Sequence, residues 1–370
     1  MLALPNSSLS IEQQQLFAKI FTQDRPLIDL RAPIEFTEGA FPTSSNLPLM
    51  SDEERAQVGT TYKRDGKEAA IELGHKLVSG EVREQRINEW RNFCQQNPDG
   101  YLYCLRGGLR SQTVSRWLTE AGIDYPRIEG GYKVLRRYLI DVTEQMANNS
   151  QLLIIGGKTG SAKTDFVNSW YESVDLEGLA NHRGSSFGRR ATPQPTGVEF
   201  ENRVAIDLLK YCAAKQKTLL EDEGVTIGRC SIPNSLREAM KQAPVIMLEV
   251  AFEDRVETIL TDYVIQLSQE FIAQDAVHGY ENYAHNMLSA LIRIKKRLGG
   301  VTFEAINAQL EFALKTREAD HHRVWIVQLL EKYYDPMYSY QLQKKAHRIV
   351  FQGDESAVRE YLLAQEFSPR

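Results

Sequence analysis

Two short loops, each set between an apolar run and a helix-like stretch, constrain this chain more than anything else in it. The first is Cys104-Leu105-Arg106-Gly107-Gly108-Leu109-Arg110-Ser111, directly after Tyr101-Leu102-Tyr103. The second is Gly157-Lys158-Thr159-Gly160-Ser161-Ala162-Lys163-Thr164, directly after Leu152-Leu153-Ile154-Ile155. Each pattern predicts strand, tight loop, then helix, a geometry that turns backbone N–H groups and a positive helix end toward one spot. At the first loop that spot suits a thiolate, a persulfide or a selenium analogue. At the second it suits a di- or triphosphate.

The surrounding pattern is α/β. Short apolar runs at 26–30, from Gly100 and at 127–128 alternate with helical stretches, which predicts a parallel sheet covered by helices. Residues 51–97 read as mostly helical. A second α/β unit begins at Gln151, with strands expected at 151–155, 217–221, 244–249 and 347–351, and helices over 253–345. Ala147-Asn148-Asn149-Ser150 reads as the linker, giving domains 1–146 and 150–370. The 370 residues suit two domains. No apolar run approaches the ~18–20 residues a bilayer span needs, and residues 1–10 show no signal-peptide pattern. The expectation is a cytoplasmic protein with no membrane partner. Cys94, Cys104, Cys212 and Cys230 are widely spaced, which argues against a disulfide framework and a zinc site.

A thiolate is the reactive form of cysteine, and helix N-termini and arginines favour it. Cys104 is followed by Arg106, Arg110 and the glycines Gly107 and Gly108, which let the loop curl into a nest of N–H groups. The loop also fits the Cys-x5-Arg spacing of cysteine phosphatases, where the arginine clamps phosphoryl oxygens. By itself it leaves chalcogen transfer and phosphate hydrolysis both open. Asp29-Leu30-Arg31-Ala32-Pro33-Ile34-Glu35-Phe36 and the downstream Asn46-Leu47-Pro48 resemble the opening of rhodanese domains. That resemblance implies a cysteine that receives and passes on sulfur, with Asp29 and Arg31 structural.

The second loop departs from the Gly-x4-Gly-Lys-Ser/Thr pattern only at Ala162, which the helix start can accommodate at negative φ. Gly157, Thr159, Gly160, Ser161, Lys163 and Thr164 are its expected phosphate-binding residues, with Mg²⁺ at Thr164. The apolar run Thr218-Leu219-Leu220 ends in acids, and Glu221 or Asp222 is the expected metal-side carboxylate. The 175–185 segment reads as a polar loop, with His182 and Arg183 as candidate contacts. With a net charge of −5, a polyanion partner would need local basic patches. Arg183, Arg189 and Arg190 form one candidate; Arg293, Lys295, Lys296 and Arg297 form another. Asp320-His321-His322 is not a metal cluster, because adjacent helical residues face different ways.

Taken together, these segments resemble the tRNA 2-selenouridine synthase family over nearly the whole chain. The carriers are the two loops, Glu129-Gly130-Gly131-Tyr132-Lys133, the 175–188 segment, Glu221-Asp222-Glu223, Arg297-Leu298-Gly299-Gly300 and Tyr333-Tyr334-Asp335-Pro336. The resemblance implies an α/β fold, with an N-terminal rhodanese-like domain and a C-terminal P-loop domain bearing a helical extension. It implies a transferase that replaces sulfur by selenium in 2-thiouridine at the tRNA wobble position. Selenophosphate, delivered by a supplier protein, is the donor, and the reaction passes through an S-geranylated intermediate made from geranyl diphosphate. Whether Cys104 carries selenium or only activates the donor is left open. The rival readings are a P-loop ATPase or kinase with a sulfur-relay domain, and a cysteine phosphatase.

Overall fold

The computed structural model describes Leu4 and residues 7–370; the reading of residues 1–10 as free of a signal peptide falls largely outside them. The chain divides into two compact units, Met1–Thr143 with Thr196–Lys210, and Glu144–Pro195 with Tyr211–Arg370.

In the first unit, β1 (Leu27–Asp29), β2 (Ser44–Asn46) and β3 (Tyr101–Tyr103) form a parallel sheet in the order β2-β1-β3. A parallel bridge from Leu102 to Arg127 extends it. Ile28, Leu30, Leu102, Trp90, Val114 and Trp117 make the core. Asp29 is fully buried and its charge is met at once: Arg31 Nε lies 2.9 Å away and the Tyr103 hydroxyl donates at 2.8 Å. Arg31 also donates to the Gly39 carbonyl at 2.8 Å and lies 3.8 Å from the centroid of Tyr132. The pair ties the strand end to the following loop, the structural role expected of it. Helices Asp52–Asp65, Lys67–Leu77 and Gly80–Gln96 fill the 51–97 stretch.

One excursion lies outside a simple two-part division. Helix Gly197–Asp207, capped by Thr196 and Glu199, belongs to this first unit. Asn202 donates to the Ala40 carbonyl at 3.0 Å and accepts from Arg136 at 2.8 Å. The linker reading at 147–150 is corrected at the local level. Helix Gly131–Asn149 runs through Ala147, Asn148 and Asn149, since no Pro or Gly breaks it.

In the second unit, β4 (Gln151–Gly156), β5 (Lys217–Glu221), β8 (Val245–Leu248) and β9 (Ile349–Gly353) form a parallel sheet in the order β5-β4-β8-β9. Between them, β6 (Thr226–Ile227) and β7 (Cys230–Ser231) make a small antiparallel hairpin. All four expected strands are present. The register pairs Ile155 with Glu221, so the acidic end of β5 lies beside the end of β4, where the Gly157 loop begins. Residues 252–345 are mainly helical and pack a separate core around Tyr283, Met287, Leu291, Trp325 and Ile326.

Candidate functional site

The first unit presents the Cys104 loop between β3 and helix Leu109–Glu120. Cys104 is buried, and its Sγ lies 3.3 Å from the Ser111 hydroxyl, which itself donates to the Gly108 carbonyl at 3.0 Å. The loop is clamped from below by the Gly130-Gly131 turn: Tyr132 N–H donates to the Cys104 carbonyl at 2.9 Å and Lys133 N–H to the Leu105 carbonyl at 3.1 Å. Gly107 and Gly131 have φ of +63° and +60°, and a Cβ on Gly131 would collide with the Cys104 carbonyl. Glycine is required there on both counts. The free N–H groups at the helix start point this end of the helix toward negative charge.

The two arginines of this loop part company. Arg106 is exposed, while Arg110 is drawn onto the buried Glu35 at 2.7 Å, with Arg55 on the same carboxylate at 3.2 Å. Burial raises the Glu35 carboxyl, but Arg110, the Ala32 N–H and Arg55 together outweigh it and hold the group below its ordinary value. Arg110 is thus shared with a neighbouring acid. Glu35 stood in the Asp29–Phe36 segment, but nothing in its spacing pointed to the partner 75 residues on.

In the second unit, the Gly157 loop leads from β4 into helix Lys163–Asn168. Lys163 Nζ folds back onto the Gly157 carbonyl at 2.9 Å. Ser161 is buried and its hydroxyl has no partner among the described residues. Ala162 has φ +52° and ψ +34°, so its expected negative φ is corrected: the loop imposes a left-handed conformation on an alanine. That costs roughly 1–2 kcal/mol for a residue bearing a Cβ, offset in part by the greater unfolded-state freedom of glycine. Ala162→Gly is therefore expected to stabilise the protein by up to about 1 kcal/mol, read as a higher urea midpoint. A lower midpoint would refute the strain.

Three carboxylates converge on this loop. The Thr164 hydroxyl donates to Glu221 at 2.9 Å and lies 3.2 Å from Glu177. Oxygens of Glu177, Glu221 and Glu223 all lie within 4.8 Å of one another. Burial and the neighbouring Glu223 push Glu177 up to about 8. Burial and Glu177 likewise push Glu221 well above the carboxylate range, and Glu223 is raised mainly by burial. The second oxygen of Glu221 is buried without a partner. Hard oxygen donors crowded beside a phosphate loop suit a divalent cation such as Mg²⁺. Of the two acids left open by the sequence, Glu221 reaches Thr164, whereas Asp222 pairs with Lys345 at 2.5 Å. Glu177 was missed. It lies in the 175–185 segment, which is not a plain loop: Asp175 caps a short helix, Leu176–Leu179.

The basic clusters are rearranged by packing. Arg183 and Arg190 both face Glu270, and Arg183 lies over the Tyr263 ring. Arg189 is exposed. Arg293 donates to the Ser186 carbonyl at 2.6 Å, and burial together with Arg189 lowers its pKa. The two sequence clusters therefore meet at Arg189 and Arg293. Lys295 pairs with Glu304 at 3.3 Å, and Lys296 is exposed. Asp320, His321 and His322 face Arg323, Thr316 and Trp325 respectively, as three separate directions require.

A parallel sheet whose first strand runs into the Gly157–Thr164 loop, with a buried acid on the adjacent strand, defines the second unit as a P-loop α/β protein. Residues 150–368 match the family model described as the tRNA 2-selenouridine synthase AAA domain. Curated relatives named tRNA 2-selenouridine synthase match nearly end to end. The one from Pseudomonas syringae pv. syringae (strain B728a) is 50% identical over 94% of this chain and 96% of its own. Those from Azotobacter vinelandii (strain DJ / ATCC BAA-1303) and Hahella chejuensis (strain KCTC 2396) are each 50% identical, over 94% and 93% of this chain and 95% and 93% of their own. The chain belongs to the tRNA 2-selenouridine synthase family. A solved N-terminal domain of a putative ATP/GTP binding protein from Clostridium difficile 630 aligns with 36% of this chain and 98% of that chain, at 28% identity and a TM-score of 0.29. No helix among the described residues is long and apolar enough to cross a membrane.

Proposed function

We propose that this protein is a cytoplasmic tRNA-modifying transferase that exchanges sulfur for selenium in 2-thiouridine at the wobble position. The P-loop unit transfers a geranyl group from geranyl diphosphate to the 2-thio sulfur. The carbon–oxygen bond of the diphosphate ester breaks, a carbon–sulfur bond forms, and diphosphate leaves. Charge grows on the leaving oxygens, and Lys163 with the loop N–H groups is placed to stabilise it. In the rhodanese-like unit the Cys104 loop handles selenophosphate, received from a supplier protein. The selenium of selenophosphate then bonds to C2 as the C2–S bond breaks and geranylthiolate leaves, and water takes the phosphoryl group, breaking the selenium–phosphorus bond and releasing phosphate. The observation that carries this reading is the coexistence of both anion loops in a chain about half identical, nearly end to end, to proteins of that name.

A small apolar cavity supports the prenyl part of the reading. It is lined by Thr159 of the phosphate loop together with Ile259, Tyr263, Trp325, Leu330 and Tyr334. A head group on the loop would leave its tail beside this cavity, whereas a nucleoside would find few polar groups there. It is narrow, so a geranyl chain enters only as the Leu330–Tyr334 turn gives way. The tRNA is expected to be held at Arg183, Arg189, Arg190, Lys295 and Lys296. Exposed Arg189 and Lys296 are the side chains most ready to neutralise phosphates. The test is reconstitution: the protein with 2-thiouridine tRNA, geranyl diphosphate and selenophosphate should yield 2-selenouridine by nucleoside analysis. ATP hydrolysis without any change in the nucleoside would favour the ATPase reading.

Mg²⁺ fits Thr164, Glu177, Glu221 and Glu223, and bound there it would neutralise diphosphate charge. The pH dependence follows in sign. Glu177 has a folded-state value of about 8 against an ordinary 4.5, so the unfolded chain ionises first. The stability it contributes is complete below 4.5 and is lost as pH rises through about 8. Mg²⁺ requires the ionised carboxylates. Its effect on melting temperature should therefore grow between about pH 5 and pH 8 and vanish in Glu221→Gln. An equal shift in that variant would place the cation elsewhere.

A further inference from the structure

Beside the phosphate loop, an arginine and the loop's Lys158 share one side-chain carboxylate, that of Asp335. Asp335 opens helix Asp335–Lys345, just after the Leu330–Tyr334 turn. Arg255 grips it with two prongs, at 3.0 Å and 2.5 Å, and Lys158 lies 3.6 Å from the same carboxylate. Arg255 turns its third N–H onto the Thr159 carbonyl at 2.9 Å. Its backbone is just as close, since a Cβ on Gly160 would strike the Arg255 carbonyl. An arginine from helix Phe252–Ile259 is thus held against the loop, with its charged fork directed outward to an anion. None of the sequence patterns of a phosphate loop includes it.

We propose that Arg255 and Lys158 complete the anion site of the phosphate loop, and that Asp335 occupies their charges until a diphosphate displaces it. The geometry favours this over a purely structural ion pair. An incoming anion can displace the carboxylate only where that carboxylate reaches solvent. Here the Arg255 side chain is 3% exposed but that of Asp335 is 20% exposed. The carboxylate also faces a second cation, Lys158, whose side chain is 46% exposed and sits in the loop itself. A planar guanidinium matches phosphate oxygens by the same two-pronged geometry with which it holds a carboxylate. A diphosphate carries more charge and more acceptor oxygens than one carboxylate, so it can take both cations. Released from Arg255, Asp335 would no longer anchor the Leu330–Tyr334 turn, which walls the apolar cavity beside Thr159. Head-group binding would thereby loosen the wall the tail must pass.

The inference rests on the reading of this loop as a diphosphate site, and inorganic diphosphate separates the two. Binding is measured by calorimetry for the full chain and three variants. Asp335→Asn removes the competing charge and is expected to tighten diphosphate binding by about threefold to tenfold. Arg255→Lys loses the fork and Lys158→Ala loses a charge, and each is expected to weaken binding by about fivefold or more. If Asp335→Asn does not fold, Lys158→Ala, an exposed change, decides alone: unchanged affinity overturns the inference. A folded Asp335→Asn protein that binds no tighter than wild type overturns it too, and leaves the phosphate-loop reading standing. A wild-type protein that ignores inorganic diphosphate removes both.

Discussion

Cys104→Ala should abolish 2-selenouridine formation, by at least about a thousandfold, the scale on which a reacting nucleophile is lost, while leaving tRNA affinity within about threefold, as expected of a change that removes no phosphate contact. The S-geranylated nucleoside should accumulate, because its synthesis is assigned to the other unit. The reason is local. Cys104 is the side chain the loop is built around, with Ser111 at 3.3 Å and the Gly130-Gly131 turn closed on its carbonyl. Cys94, Cys212 and Cys230 are also buried, but none stands in an anion cradle, and burial pushes the Cys94 thiol up to about 11, where it is inert at neutral pH. Selenation at the wild-type rate in Cys104→Ala would remove the cysteine from the chemistry. Ser111→Ala, which loses only the hydroxyl beside the sulfur, should cost about tenfold or less.

Lys163→Ala should lower geranyl transfer by about a hundredfold to a thousandfold, the usual effect of removing one group that stabilises developing oxyanion charge. The same variant should still convert a tRNA geranylated beforehand. Lys163 is the cation that faces the three carboxylates as well as the loop. Its ammonium leans on the Gly157 carbonyl, a contact that a phosphate oxygen can replace at little cost. Refusal of the pre-alkylated tRNA would mean that the loop serves the exchange step or the tRNA itself. Wild-type alkylation would mean that Arg255 or the backbone carries the charge without it.

Much of this protein is legible along the chain because its signals are local. An apolar run, a glycine-rich turn and a helix start are contiguous, so both strand–loop–helix units, the four strands of the second sheet and the helices over 253–345 could be read from spacing alone. The Asp29–Arg31 pair was legible for the same reason, being two residues apart. What distant packing decided was not. Glu35 meets Arg110, Glu177 meets Glu221, and Asp335 meets Arg255 across 75, 44 and 80 positions, and no periodicity encodes such meetings. The choice between Glu221 and Asp222 turned on β-register, since neighbouring residues on a strand face opposite ways and Ile155 pairs with Glu221. Ala162 takes a positive φ because the loop's closure, not the residue's own preference, sets it. The sequence by itself determined where the two strand–loop–helix units lie, and left the chemistry of the Cys104 loop open between chalcogen transfer and phosphate hydrolysis. Only the tertiary structure decided which charges share each site, because burial and long-range neighbours set which carboxylate meets another carboxylate and which meets an arginine.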